Sequence, residues 1–338
     1  MIAKRAMFLM VVLMGALLIV GCGGSEEPAT ASQGEETSEE LDTSDQLYIQ
    51  VSALGNIDYF YDHKLGMRLV GEDLGVRTEY VGPAEYDINA MVSAFEQAIA
   101  KQPNGIVVVG FEPTLNPIVA KAMDQGIPVV TVDADLPGSE RVAFVGTGNY
   151  NAGRTGGEKL ASLLNEEGQV ALMTKPGQSN LEERIRGYRE ALAQYDGIEI
   201  VQVVDTQSDP VVAAQAASSL LQKFPDLAGI ACVEAAGGSG AATAVREANR
   251  VGDVKIVSMD RGSEVLNAIE DGVIQASVAQ QTALMPYYAV QILYQLNNHQ
   301  VPITNDNAAA GISGIPQTID TGAIIVDESN YQHFMRDN

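Results

Sequence analysis

The 338-residue chain is short of thiols, of basic side chains, of histidine and of long apolar runs. Two cysteines, Cys22 and Cys232, are too few for a disulfide-stapled fold. Lysine and arginine number 20 against 44 aspartates and glutamates, a formal net charge of −24. Such a balance excludes nucleic acid or an anionic lipid surface as the main partner. The three histidines, His63, His299 and His333, stand without metal-ligand spacing, and no Ser/His/Asp or Cys/His arrangement is legible. No metal, cofactor or catalytic centre is therefore expected. The glycine runs "GTGNYNAGRTGG" and "AAGGSGAA" follow neither the G-x-G-x-x-G nor the GxxxxGK[ST] form and read as tight turns into helices. The longest apolar stretch, residues 6–20, falls short of the roughly twenty residues a bilayer core demands.

That stretch follows Lys4 and Arg5 and runs through Ile19, Val20 and Gly21 into Cys22, so residues 1–21 read as a secretory signal. The junction resembles the bacterial lipoprotein signal, which implies lipid on the Cys22 sulfur and cleavage just before it. Acyl chains hold a protein to a membrane at about 0.8 kcal/mol per buried CH₂, and stable attachment takes more than one. An ordinary signal, or a short signal anchor with an incidental cysteine, is the alternative. Residues 22–46 then carry eight carboxylates, no Lys or Arg and little that is large and apolar. A segment of that kind cannot offset its ordering entropy and is expected to be a disordered tether. Residues 47–338 keep 18 basic and 36 acidic side chains. Cys232, inside the apolar "LAGIACVEA", reads as a small buried thiol.

From Leu47 onward, β-rich runs such as "LYIQVSA", "GIVVVG", "IPVVTVD", "GQVALMT" and "VKIVSMD" alternate with segments at helical spacing. Asp87 stands as the N-cap of one of these, "DINAMVSAFEQAIAKQ". This alternation predicts parallel sheets covered by helices on both faces, and ten strands suit two lobes better than one sheet. An internal echo agrees with two lobes. "GIVVVGFEPTLNPIVAKAMDQGIPVVTVD" and "GIACVEAAGGSGAATAVREANRVGDVKIVSMD" each read strand, helix, strand and a final aspartate, Asp133 or Asp260. Both aspartates fall at the carboxyl end of a parallel strand, where open α/β sheets bind ligands.

"SALGNIDYF", "GIPVVTVDAD", "VGTGNYNAGRTGGEKLA", "EERIRGYREAL", "KIVSMD" and "IQASVAQ" occur in that order over nearly 300 residues. In this the chain resembles the ribose-binding branch of the type I periplasmic binding proteins, soluble receptors of bacterial sugar ABC transporters. The resemblance implies an α/β fold of two doubly wound lobes joined by a three-strand hinge, crossing near 147–148, 280–281 and 320–321. The first lobe would comprise residues 47–147 and 281–320, and the second residues 148–280 and 321–338. It further implies a monomer, exported to the periplasmic or cell-surface side, that takes a small polyhydroxylated ligand and docks on a membrane permease.

A sugar presents hydroxyls that donate and accept and an apolar C–H face, so its site needs charged or amide groups and an aromatic plate. The resemblance places Asn56, Tyr59 and Phe60 on the first-lobe wall, although two adjacent aromatics opening a helix could equally pack the core. It assigns Asp133, otherwise a helix or turn cap, to the ligand hydroxyls, and Arg184 to the ring and hydroxyl oxygens. Asp260 and Gln280 match two further contacts. Three departures stand out: Ala134 follows Asp133 where the family carries arginine, Glu234 replaces an amide, and no aromatic stands near Ser208. A carboxylate at position 234 can only accept, which implies a ligand with an extra donor or a positive charge. A LacI-type regulator shares the two-lobed core but would need a basic helix-turn-helix before Leu47, where a signal and an acidic segment stand instead. A sensory receptor for chemotaxis, a histidine kinase or a furanone-like signal would use the same fold.

Overall fold

The structure is a computed structural model and describes residues 42–335 other than Ile57. The expected signal, Cys22 and the tether up to residue 41 lie outside the described residues.

Among the described residues, twelve strands form two six-stranded sheets. The first contains β1 (Leu47–Val51), β2 (Arg77–Val81), β3 (Gly105–Val109), β4 (Val129–Val132), β5 (Ala143–Gly146) and β11 (Thr318–Asp320), in the order β11-β5-β4-β3-β1-β2. All of its pairings are parallel. The second contains β6 (Glu167–Thr174), β7 (Gly197–Asp205), β8 (Leu227–Cys232), β9 (Lys255–Met259), β10 (Ala276–Gln280) and β12 (Ala323–Asp327), in the order β12-β10-β9-β8-β6-β7. Only β12 runs antiparallel to its neighbour. The two orders superimpose strand for strand, so the echo seen in the sequence is an echo of whole sheets.

The apolar runs form strands because both faces of each sheet are covered. In β1 and β3, Ile49, Val51, Ile106 and Val108 enter one core, and Tyr48, Val107 and Val109 enter the other. In the second sheet, Met173, Ile230 and Ile256 face one core, and Leu172, Ala231 and Val257 face the opposite one. Each large apolar side chain so buried contributes about 1.5–3 kcal/mol. Helices α1 (Asp58–Leu74) and α9 (Leu284–Asn298) close one face of the first sheet, and α2 (Ile88–Ala100) and α3 (Asn116–Asp124) the other. For the second sheet, α4 (Asn149–Leu163) and α5 (Ser179–Leu192) take one face. The other belongs to α6 (Pro210–Lys223), α7 (Ala235–Glu247) and α8 (Ser263–Glu270). Asp87 does cap α2, accepting a 2.9 Å bond from the Ala90 amide, a contact worth about 1 kcal/mol.

The chain passes between the sheets three times, after β5, after β10 and between β11 and β12. These crossings bond to one another. Thr321 donates its amide to the Gly146 carbonyl at 2.8 Å, Gln281 Nε2 donates to the Thr321 carbonyl at 2.6 Å, and Asp320 Oδ1 accepts from the Gly148 amide at 2.6 Å.

Two readings of the sequence are corrected. Residues 42–46 belong to the folded body rather than to a tether: Thr43 is buried, and Gln46 and Asn298 exchange side-chain bonds of 2.6 and 3.0 Å. Paired side-chain amides hold a polar segment that burial alone would not. Of the glycines of "GTGNYNAGRTGG", Gly146 ends β5 and Gly148 stands at the turn into α4, whereas Gly153, Gly156 and Gly157 lie within the helix. A Cβ on Gly153 would stand 2.0 Å from the Arg184 carbonyl oxygen, and one on Gly187 2.2 Å from that of Tyr150. The glycines thus let α4 and α5 cross almost backbone to backbone.

Candidate ligand-binding cleft

A cavity of about 750 Å³ opens where the carboxyl ends of strands from both sheets face one another. Asn56, Tyr59, Phe60, Asp133, Arg184, Glu234, Asp260 and Gln280 all line it. Asp133 and Asp260 directly follow β4 and β9 and adopt left-handed backbone, with φ of 66° and 65°. Their amides donate to the Val145 and Val278 carbonyls of the next strand at 3.1 and 2.9 Å. Aspartate tolerates this region better than most residues, and the turn it makes aims each carboxylate off the sheet edge. The repeated backbone thereby places two carboxylates at matching positions, one in each lobe.

The two walls differ in chemistry. On the first lobe, the Tyr59 hydroxyl donates to Asp133 Oδ1 at 2.6 Å. The Tyr59 ring meets Phe60 edge-on at 5.2 Å, and Phe60 is itself 3% exposed within the core. Phe60 is therefore both core and wall. Phe111, which follows β3, adds a third ring 6.2 Å from Phe60. Every aromatic side chain described in the lining belongs to this lobe, and Ser208 faces them from the other.

On the second lobe, Arg184 is 4% exposed, unlike the solvated arginine usual on an amphipathic helix. Its Nε donates to Asn149 Oδ1 at 2.8 Å, Nη1 to the Val233 carbonyl at 2.9 Å and Nη2 to Gln280 Oε1 at 3.0 Å. Gln280 Nε2 in turn donates to Asp260 Oδ1 at 2.9 Å. Guanidinium carries five N–H donors, and three are engaged here. Glu234 opens α7 without capping it, and its Oε1 accepts from Thr206 Oγ1 at 2.5 Å.

Burial chiefly drives Asp133 up to about 6, opposed by the Tyr59 hydroxyl and the Arg184 charge, while the Asp260 carboxylate adds a smaller upward push. Burial also raises Asp260, against Arg184 and Gln280. The Tyr59 hydroxyl is held well above the usual tyrosine range, mainly by burial, and so stays a donor. Polar groups of this kind favour a ligand that replaces lost water with hydroxyls. Among the described residues, no group of three or more His, Cys, Asp or Glu side chains is placed to hold a metal ion. Cys232 is a buried free thiol whose ionisation burial opposes.

Among the lining residues that sequence reasoning missed are Phe111, Asp62 and Arg261. Phe111 follows "GIVVVG", a strand end, and that position was the available signal. Asp62 and Arg261 carried none, because they form an ion pair between residues 199 apart.

A family model described as a periplasmic binding protein domain matches residues 49–300. The solved arabinose-binding protein AraP of Geobacillus stearothermophilus is 37% identical with a TM-score of 0.81, covering 86% of this chain and 100% of its own. A sugar-binding protein of a sugar ABC transporter from Bacillus halodurans is 36% identical with a TM-score of 0.82, over the same shares. The D-ribose/D-allose-binding protein of Pseudomonas aeruginosa is 26% identical over 301 residues, 86% of this chain and 92% of its own. The proteins matched bind solutes and are not enzymes.

Proposed function

The chain belongs to the periplasmic binding protein domain family, in its type I, ribose-binding branch, and we propose that it captures one small neutral sugar or polyol between its lobes for an ABC transporter. The observation that carries this reading is the pair of matched aspartates, Asp133 and Asp260, facing one cavity from two lobes. Sugar hydroxyls would donate to these carboxylates, Arg184 would donate to ring and hydroxyl oxygens, and the Tyr59 and Phe111 rings would cover the C–H face. Relatives named for arabinose, ribose and allose support a pentose or hexose.

Contacts to both walls stabilise the closed form over the open one, and the closed form would dock on a membrane permease and release its ligand there. Export through residues 1–21, with lipid on Cys22, would keep the receptor beside that permease on the periplasmic or cell-surface side. Glu234 adds an acceptor that selects a hydroxyl donor on the ligand.

The test is a thermal-shift screen of the purified protein against pentoses, hexoses, polyols, amino sugars and amino acids. A ligand at 100 times its Kd adds about 2.7 kcal/mol, which raises the Tm by a few degrees. A shift with a neutral sugar or polyol supports the reading, and shifts confined to amino compounds overturn it. Cys22→Ser should move the protein from the membrane fraction to the soluble one.

A further inference from the structure

Among the ion pairs of the described residues, one joins the two lobes: Arg261 Nη2 to Asp62 Oδ2. Asp62 lies on α1 of the first lobe and is 7% exposed, and Arg261 follows Asp260 on the second. Each partner is steadied by other contacts. Thr282 Oγ1, two residues past the second crossing, donates to Asp62 Oδ2 at 2.9 Å. The Arg261 guanidinium sits 5.9 Å over the ring of Phe334, which packs against the second-lobe core. Two charges held in position and partly shielded from water attract one another more strongly than exposed ones, and that attraction is lost when the lobes part and water enters the cleft. Swinging the lobes apart has to part them or drag one from its support.

The echo sharpens the point. The first-lobe aspartate, Asp133, is followed by Ala134, whereas the second-lobe aspartate, Asp260, is followed by Arg261. The arginine therefore extends from the turn that presents Asp260 to the cavity, and ordering that turn orders the pair.

We propose that Arg261 and Asp62 form a latch across the cleft, which fixes how much of the unliganded protein is closed and so sets affinity and residence time for every ligand alike. Arg261 acts as a positioning residue. Apparent affinity scales with the closed fraction, so loosening the latch weakens all ligands by one common factor. The affinity arm of this inference rests on the sugar-binding reading above, and the closure arm does not.

The experiment measures interlobe distance in the purified, ligand-free protein, with spin labels on Glu85→Cys and Val211→Cys, both exposed. The labelled protein carries Cys22→Ser, and Cys232 is buried and stays unlabelled. Arg261→Met, which keeps an apolar stem over Phe334, should shift the distances toward longer values. The same variant should weaken each bound sugar by roughly tenfold, through faster dissociation and with the order of preference unchanged. Arg261→Glu should open the protein further, and added salt should open the parent more than Arg261→Met. Unchanged distances in Arg261→Met overturn the latch. A loss of affinity for some sugars only, at unchanged distances, makes Arg261 a ligand contact and overturns it equally. If the distances lengthen while no sugar binds the parent, the latch stands and the sugar-binding reading fails.

Discussion

The two lobes share one backbone plan and divide the chemistry between them. Both place an aspartate at φ near 65° after the corresponding strand. Around Asp133, however, the wall is aromatic and its hydrogen-bond partner is the single hydroxyl of Tyr59. Around Asp260 the wall is a chain of polar groups, from Asn149 through Arg184 and Gln280 to the carboxylate. Repetition fixed where a ligand meets the sheets, and divergence made one wall a plate and the other a set of donors. A molecule with an apolar face and a ring of hydroxyls matches that division.

The largest effects should come from removing the central polar group of each wall. Asp133→Asn and Arg184→Ala should each weaken ligand binding by roughly a hundredfold or more, the range for truncating a buried hydrogen-bonded charge. Their effects on folding should part. Arg184→Ala removes three bonds within the second lobe and should lower stability by about 1.5–3 kcal/mol. Asp133→Asn replaces a carboxylate that burial disfavours and should leave urea stability at pH 8 unchanged or raised. Equal losses of stability would break the contrast between the walls.

The crossing of α4 and α5 gives the next effect. Gly153→Ala puts a methyl group against the Arg184 carbonyl and should cost about 1–3 kcal/mol in a urea melt. Because Arg184 then shifts, affinity should fall as well. Unchanged affinity would mean that the guanidinium is held by its hydrogen bonds alone.

Burial pushes the Asp133 carboxyl up to about 6, and hydroxyl donors favour its charged form, so affinity should fall as pH drops through 6, approaching tenfold per unit. Asp133→Asn should flatten this profile. For stability the sign reverses. The folded value lies above the ordinary 3.8, so Asp133 contributes stability at pH below 3.8 and loses it as pH rises through about 6. Calorimetric titrations between pH 5 and 8 would test the binding half. The smallest effect should be Phe111→Leu, which keeps an apolar side chain but loses the ring, and should weaken binding about two- to tenfold.

Much of this is legible in the sequence. Ten of the twelve described strands lie in the β-rich runs, and the central ones among them are continuously hydrophobic because alternate residues each meet a core. The two it did not offer, β11 and β12, are three residues long and an antiparallel edge strand. Short edges of that kind owe their pairing to a neighbour distant in sequence. The eight candidate residues converge on one cavity because six of them lie at or beside strand ends or open a helix that begins at the cleft. Arg184, on a helix with charged neighbours, was legible only through family resemblance, and its burial depends on glycines that let a second helix approach.

The sequence alone therefore determined the strand and helix alternation, the two-lobed division and the matched aspartates, since each is written in near-neighbour periodicity. Tertiary structure decided what each side chain meets: Arg184 on Gln280, Gln46 on Asn298, and Arg261 on Asp62 across 199 residues. Periodicity states which way a residue faces, but a hydrogen bond needs two atoms within about 3 Å. Only the order of strands in both sheets, and the three crossings between them, bring such pairs together.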